Sequence, residues 1–290
     1  IQNEFNGIYE NDVQIQILAV GYIAFDLPFE MVTIPAGEFT FGEGDMLVNI
    51  NYDFEIMKYE VTNAQYAEFL INALELGDIW LDNSEIYGFY WGDQHFEAGN
   101  YIYKNLDELY WNGTTFIVEE GYGDHPVKAV TWFGANAFAS YFGVELPSDL
   151  EWEKAARGNT GWNFPWGDQL LGTMANYYMS GDPFDLEGQY ENSATPVGYY
   201  NGQNHNGFQT ENSASVYGVY DMSGNVAEWT KDFHVEWNGD EWYEYPIRGG
   251  RGGYYGSAPW EEEDLKSWYR QPHQPHMPHV FMGFRICRPL

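Results

Sequence analysis

The sequence predicts an α+β fold of irregular, mixed structure with a low content of regular elements. Three helices with clear capping residues can be identified in the first 158 residues, and none after them. The remainder is rich in glycine, asparagine and tyrosine, with turn signals such as Asn201-Gly202 and Asn206-Gly207. The 290 residues include 32 glycines and 19% aromatic residues, which favours many turns and wide aromatic packing over a helical bundle.

The first 28 residues are predicted to form an N-terminal strand extension. In VQIQILAVGYIAF (13–25), Val13, Ile15 and Ile17 alternate with polar residues before the run becomes wholly apolar. An apolar strand left at an edge invites association, so this segment must pair with something. Pairing within its own domain and pairing with another subunit both remain open at this point.

The three helices are predicted from their terminal residues. Each has a Ser or Thr at the N-cap and a glycine at the stop; the pairs are Thr62 and Gly77, Thr131 and Gly143, and Ser148 and Gly158. Gln65 and Glu151 complete capping boxes in the first and third helices. Between the first two helices lies an acidic and aromatic insertion at about 78–124, whose Asn112-Gly113 predicts a hairpin.

The charge balance excludes some classes of partner. The chain has 44 acidic and 12 basic side chains, a net charge of −32, which would repel a phosphate backbone, so we expect no nucleic-acid partner. Such acidity is typical of a solvated surface or of an environment rich in salt or divalent cations. No apolar window is long enough for a membrane-spanning helix. The start, IQNEFNGIYE, predicts a mature chain after signal-peptide removal, hence an extracellular or cell-surface location.

Seven short blocks in fixed order carry a resemblance to a known family. They are MVTIPAGEFTFG (31–42), KYEVTNAQYAEFL (58–70), HPVKAVTW (125–132), LPSDLEWEKAARG (146–158), YGVYDMSGNVAEWTKD (217–232), IRGG (247–250) and GFRICRP (283–289). Together they resemble the formylglycine-generating enzyme family, also called the sulfatase-modifying factor domain. The resemblance implies one large mixed domain over residues 29–290, with the insertion at 78–124 and a core similar to C-type lectins.

The resemblance also implies chemistry that this sequence lacks. Formylglycine-generating members hold copper with two cysteines between the RGG and GFR blocks, but residues 251–284 contain no cysteine here. Ergothioneine-type members carry an H-x-x-x-H-x-E iron site, and the seven histidines never form that pattern. The single cysteine, Cys287, follows GFR and is expected to be a buried packing residue, which is how free cysteines usually behave. An enzyme is therefore not the favoured interpretation.

Two loops resemble the calcium sites of the family. The resemblance implies one site from Asp221, the carbonyls of Gly224 and Val226, and Glu228, and a second from Asn176, Asp182 and the carbonyls of Tyr177 and Phe184. Hard cations prefer six to eight such oxygen ligands. The simpler alternative is that Asn176 and Asp182 only cap turns. One or two calcium ions here would be structural, since a chain with one cysteine has no internal disulfide to hold its loops.

The segment 254–281 is predicted to form the wall of a cleft. RQPHQPHMPH places His273, His276 and His279 at intervals of three, each after a proline, as in a polyproline II helix. Neighbouring imidazoles would be about 9 Å apart at ~3.1 Å per residue, too far for one ion, so an exposed rigid loop is expected. The aromatic residues of this segment either stack on a ligand or pack the loops, with packing favoured; they are Tyr254, Tyr255, Trp260, Trp268 and Tyr269.

The leading functional hypothesis is a non-catalytic, secreted or cell-surface protein with a structural or adhesive role. Its sharper form is self-assembly into filaments, with residues 13–25 added as a strand to a neighbouring copy. One alternative is a lectin-like module that binds a saccharide or peptide in the cleft at 254–281. The other is a metal-dependent oxidoreductase with a non-cysteine site at the histidine run.

Overall fold

The structure is a computed structural model that describes residues 27–83, 85–185, 193–237 and 242–290. The predicted strand at 13–25 lies outside the described residues. Within these ranges no helix is long and apolar enough to cross a membrane.

The three predicted helices are confirmed. They are α1 (Asn63–Leu76), α2 (Trp132–Tyr141) and α3 (Asp149–Arg157), and a 3-10 helix follows at Pro259–Leu265. Thr62 and Gln65 form the predicted capping box of α1, and Gly77 ends that helix with a left-handed φ of 79°. Ser148 and Glu151 cap α3 in the same way. These helices were predictable because both partners of each cap lie within one turn of the chain.

Short strands make up most of the remaining regular structure. The described strands are β1 (Met31–Ile34), β2 (Gly37–Phe41), β3 (Met46–Ile50), β4 (Phe54–Met57), β5 (Ile79–Asp82), β6 (Glu85–Tyr90), β7 (Gly99–Asn105), β8 (Leu109–Trp111), β9 (Phe116–Val118), β10 (Asn204–His205), β11 (Phe208–Gln209), β12 (Ala227–Trp237), β13 (Trp242–Arg251), β14 (Arg270–His273), β15 (Met282–Gly283) and β16 (Cys287–Pro289).

Two sheets position the candidate site, and a third is formed by the insertion. The first sheet has the order β14-β13-β12-β15 and is antiparallel except for the parallel pair β12–β15. The second has the order β1-β4-β16. Residues 78–124 contain the β5-β6-β7 sheet and the β8–β9 hairpin. The hairpin predicted at Asn112-Gly113 is confirmed, because β8 and β9 pair antiparallel on either side of this turn. The Asn112 side chain accepts hydrogen bonds from the N–H groups of Thr114 and Thr115 within the turn.

The core is largely aromatic. Tyr66 of α1 stacks on Phe138 of α2 with ring centroids 5.7 Å apart, and Phe284 meets both rings edge-on. A second cluster packs Trp152 of α3 against the β1-β4-β16 sheet, including Cys287. Full burial of a side chain of this size contributes about 1.5–3 kcal/mol. The two clusters therefore hold the helices against the sheets that carry the functional loops.

Candidate functional site

Cys287 is a packing residue, as the sequence predicts. It is 1% exposed in β16, where its backbone pairs with Ile56 and Glu145. Its Sγ lies 3.8 Å from Glu151 Oε2, and burial raises the pKa of the thiol well above its ordinary value. A neutral buried thiol is a poor nucleophile and a poor metal ligand.

The first predicted calcium loop contains a buried ion pair. Glu228 accepts hydrogen bonds from Arg285 Nε and NH2, both at 2.7 Å, and from Trp152 Nε1 at 3.0 Å. Asp221 has a φ of 58° and accepts the Gly198 N–H at 2.6 Å. Both oxygens of Glu228 are thus engaged by protein donors, so an ion at this loop would draw mainly on Asp221 and on carbonyl oxygens.

Buried negative charge exceeds positive charge around this loop. Glu60, Asp221 and Glu228 are all buried, and Arg285 is the cation that interacts with them. Burial raises the pKa of Glu60 well above its ordinary value, and the Asp221 and Glu228 carboxylates raise it further. Burial likewise raises the pKa of Asp221 to about 6, although the Gly198 N–H and Arg285 oppose this. A bound cation would relieve the repulsion, so calcium at this loop stays a prediction.

The second predicted calcium loop presents an unpartnered oxygen. Asn176 is buried; its Nδ2 donates to the Ser193 carbonyl, while its Oδ1 has no hydrogen-bond partner among the residues that the structure describes. A buried oxygen acceptor of this kind suits a hard cation. Asp182 instead accepts hydrogen bonds from the Phe184 N–H and the Tyr200 hydroxyl, both at 2.7 Å. The bond from Phe184 is the one expected if Asp182 caps a turn and does not bind calcium. Within the described ranges, no group of three or more His, Cys, Asp or Glu side chains could hold a metal ion.

The expected polyproline arrangement of the histidine run is wrong for two of its three histidines. The chain turns after β14, with Met277 N donating to the Gln274 carbonyl, and it is fixed by the Trp132 N–H, which donates to the Pro275 carbonyl at 3.0 Å. The turn brings the rings of His273 and His279 to 5.1 Å between centroids. His276 stays exposed on the turn. A local turn held by a distant backbone contact has overcome the extended preference of the X-Pro repeats.

The two histidines lie in an aromatic environment. Phe281 stacks on His279 at 5.3 Å and meets His273 at 5.6 Å, and Trp229 meets His273 edge-on at 6.0 Å. Burial and, to a smaller extent, the neighbouring His279 together lower the pKa of His273 to about 4. Burial and His276 lower the pKa of His279. Both imidazoles are therefore neutral at pH 7.

The aromatic residues of the predicted cleft divide into two groups. Tyr254 stacks on Phe281 at 4.4 Å, and the buried Tyr255 donates its hydroxyl to the Val280 carbonyl, so both form the wall behind the histidines. Trp268 donates Nε1 to Asn163 Oδ1 and also serves packing. Trp260, by contrast, is 69% exposed.

A separate recess of about 530 Å³ lies beside Trp260. Tyr269 lines it together with Glu262, Glu263 and Lys266, and none of the three histidines does. The structure thus brings together part of the predicted site, namely Tyr254, Tyr255, His273 and His279. It places the other aromatic residues elsewhere.

Arg248 is a site residue that the sequence reasoning did not assign. Its guanidinium lies between the rings of Trp132 and Phe233, 3.8 and 3.4 Å from their centroids, and it pairs with Asp93 of the insertion. Burial lowers the pKa of Arg248 to about 10. Arg248 belongs to the IRGG block, which carried part of the family resemblance, but no local pattern in the sequence indicates Asp93, 155 positions away. This contact joins the insertion to β13.

An aromatic groove is the second feature that the sequence did not locate. We define it by Trp80, Phe89, Trp91 and Tyr141, which line a cavity of about 790 Å³ between α1, α2 and the β5-β6-β7 sheet. Trp91 is 86% exposed, Phe89 43% and Trp80 40%. The aromatic composition of residues 78–124 was the available signal.

Several curated proteins with different names are similar in sequence to this chain. Serine/threonine-protein kinase Pkn1 of Chlamydia trachomatis serovar L2 is 31% identical over 214 residues, covering 71% of this chain and 28% of the kinase. The formylglycine-generating enzyme of Thermomonospora curvata is 29% identical over 243 residues, covering 73% of this chain and 74% of the enzyme. The chain spans only 25% to 38% of the lengths of the three chlamydial kinases it matches.

Solved structures share the fold. PvdO from Pseudomonas aeruginosa has a TM-score of 0.57 at 22% identity, covering 90% of this chain and 94% of that chain. Treponema denticola variable protein 1 has a TM-score of 0.57 at 17% identity, covering 90% of this chain and 95% of that chain. These likenesses support the predicted C-type-lectin-like core. The model of the sulfatase-modifying factor enzyme 1-like domain matches residues 26–290, and the chain therefore belongs to this formylglycine-generating enzyme family.

Proposed function

We propose that this protein is a non-catalytic assembly module that binds an extended apolar segment of a second copy in the aromatic groove. The observation that carries the proposal is the exposure of the groove: Trp91, Phe89 and Trp80 leave large aromatic surfaces in solvent on one face. Soluble proteins rarely expose a contiguous apolar surface unless it binds something. The absence of cysteine between Arg251 and Phe284 supports a role without the copper chemistry of the family.

The proposed occupant is the segment 13–25. The described chain begins at Leu27, and Phe29 packs on Phe138 and Phe142 at 5.8 and 4.8 Å. Tyr141, on the same helix as Phe138, lines the groove. Phe29 therefore packs against the same helix that lines the groove. Thirteen extended residues span about 43 Å, enough to reach a neighbouring molecule.

The edge of the insertion sheet offers a backbone partner for this segment. Among the described residues, β5 pairs only with β6, so its other edge is open to an added strand. Strand addition supplies main-chain hydrogen bonds, while alternate side chains enter the adjacent pockets. The alternation of Val13, Ile15 and Ile17 with polar residues suits one face on the groove and one in solvent.

A second copy is favoured over the chain's own segment because the family domain is matched from residue 26 onward. The segment thus lies outside the part of the chain that the family model matches. A contact of this kind is head-to-tail and does not close, so it builds filaments. The net charge of −32 opposes assembly, and we expect salt or divalent cations to promote it.

Complementation between two defective variants tests this function. The full chain should assemble at high salt, whereas a chain lacking residues 1–26 and the groove variant Trp91→Ser should each be monomeric by light scattering. Mixing the two should give a 1:1 dimer, because one supplies the groove and the other the segment. Trp260→Ser, which removes a tryptophan that is also exposed, is the matched control and should assemble normally. Assembly that survives the deletion, or a mixture that stays monomeric, would refute the proposal.

Calcium and an extracellular or surface location complete the proposed function. The excess of buried carboxylates near Asp221 and the unpartnered oxygen of Asn176 support a structural ion at these loops. Extracellular fluid contains calcium at concentrations that occupy moderate-affinity sites. The extracellular or cell-surface location is a prediction from the sequence, and surface labelling of intact cells tests it.

A further inference from the structure

The turn after β14 places two histidine nitrogens in an unusual position. His273 and His279 have ring centroids 5.1 Å apart, with ring planes at 56°. The Nε2 atom of each ring is buried and has no hydrogen-bond partner in the described part of the chain. A buried polar atom without a partner is destabilising. Two such atoms of the same kind on neighbouring rings suggest a shared ligand.

The backbone around the pair leaves room for His273. A Cβ placed on Gly250 of the IRGG block would lie 2.7 Å from His273 Cδ2 and 3.1 Å from His273 Nε2. Only a residue without a side chain therefore lets this imidazole lie against β13. The rings of Trp229 and Phe281 pack against His273, with ring centroids 6.0 and 5.6 Å away. The pair is thus held by packing from several elements, which a site for a small ligand requires.

We propose that His273 and His279 together bind one late first-row transition-metal ion, Zn²⁺ or Cu⁺, through their Nε2 atoms. With metal–nitrogen bonds of about 2.0 Å, an ion shared by the two Nε2 atoms would lie about 3.2 Å from each ring centre, and ring centroids 5.1 Å apart are close enough for such sharing. Imidazole is a ligand that zinc and copper favour.

The donor set excludes hard cations and leaves the site open. Calcium and magnesium require oxygen ligands, and the pair supplies only nitrogen. Within the described ranges no third His, Cys, Asp or Glu side chain completes a cluster. An ion held by two imidazoles alone would keep coordination positions for water or a bound molecule, unlike a closed structural site with four protein ligands. This inference uses different residues from the assembly groove, so either can fail without the other.

Metal titration of the tag-free full chain, stripped with a chelator, tests the inference. Excess Mg²⁺ occupies the acidic surface, and Co²⁺ serves as the spectroscopic probe. We expect one equivalent of tetrahedral Co²⁺ with a visible absorption band. Stoichiometric displacement of Co²⁺ by Zn²⁺ would show that the site prefers Zn²⁺ to Co²⁺. Displacement by Cu⁺ while Zn²⁺ is in excess would show that Cu⁺ is the preferred ion. Failure of all three to bind with a Kd below about 1 µM would overturn the proposal.

Three variants locate the ion. His273→Ala and His279→Gln should each weaken binding by more than the ~10–100-fold that loss of a supporting contact causes. His276→Ala, on the exposed part of the turn, is the matched control and should bind as the unchanged chain does. A loss of binding in His276→Ala equal to that in His273→Ala would place the ion on the exposed turn and overturn the proposal. Circular dichroism of each variant establishes that it has folded.

Discussion

Arg285 and Glu228 form a two-point ion pair inside the core, with Nε 2.7 Å from Oε2 and NH2 2.7 Å from Oε1. Both side chains are at most 1% exposed. The remaining guanidinium N–H groups donate to the carbonyls of Met57, Lys58 and Tyr220. The pair therefore joins β4, β12 and the loop before Asp221, and each of its charges depends on the other for compensation.

Glu228→Gln should be strongly destabilising, because it removes the carboxylate that accepts two hydrogen bonds from the buried Arg285 guanidinium. We expect a loss of about 3–5 kcal/mol in the free energy of unfolding, measured by urea titration. The matched control is Glu30→Gln, which removes the exposed Lys58–Glu30 pair and should cost less than about 1 kcal/mol. Replacing both partners, as Glu228→Leu with Arg285→Met, should cost less than the two single changes combined. Equal losses at Glu228 and Glu30 would contradict this account.

Cys287 should be inaccessible to thiol reagents in the native protein. Its side chain is 1% exposed and burial raises its pKa, so labelling requires unfolding. We expect the rate of labelling by a disulfide reagent to follow the unfolding rate as urea is raised. Cys287→Ala should remain folded and lose about 1 kcal/mol through the small cavity it creates. Rapid labelling without denaturant would instead indicate a reactive thiol.

The helices could be predicted because their determinants are local. Thr62 with Gln65 and Ser148 with Glu151 form capping boxes within three residues, and the structure reproduces both. Cys287 could be assigned from residue type alone, since free cysteines are usually buried. The seven sequence blocks gave the fold class for a different reason, namely resemblance to relatives.

The contacts of the site could not be predicted, because they join distant positions. The approach of His273 to His279 depends on a turn that is fixed by the Trp132 N–H, some 140 residues earlier in the chain. Arg285 pairs with Glu228 across 57 positions, so a carboxylate that was expected to be a calcium ligand also takes part in a buried ion pair. No periodicity or turn signal in the sequence encodes such pairings.

Glu151 should make stability depend on acid pH. Burial by itself would raise the pKa of its carboxyl, but Lys231 and the hydrogen bonds from Ser148 and Tyr52 outweigh burial and lower it. A carboxyl with a lowered pKa in the folded state contributes stability above its unfolded pKa of 4.5 and loses it as the pH falls through the folded value.

The measurement for Glu151 is the free energy of unfolding between pH 7 and pH 3. Glu151→Gln keeps an acceptor for the Ser148 N–H but no longer titrates, so the decline below about pH 4.5 should be smaller than in the unchanged chain. At pH 7 the variant should be less stable by about 1–2 kcal/mol. Glu38→Gln, at an exposed position, is the control and should leave the acid decline intact. A steeper decline in Glu151→Gln would reverse the assigned direction of the pKa shift.

Calcium should stabilise the protein through the loops at Asn176 and Asp221. At a free concentration about 100 times its Kd, an ion bound only by the folded state adds about 2.7 kcal/mol, seen as a rise in Tm by calorimetry. The rise should exceed that caused by the same concentration of Mg²⁺, which dehydrates reluctantly and prefers fewer ligands. Asn176→Ala removes the unpartnered buried Oδ1 and should abolish much of the calcium-specific increment, whereas Asn51→Ala, on the surface, should retain it. Equal responses to the two ions, or a full calcium response in Asn176→Ala, would show that the effect arises from the acidic surface and not from this loop.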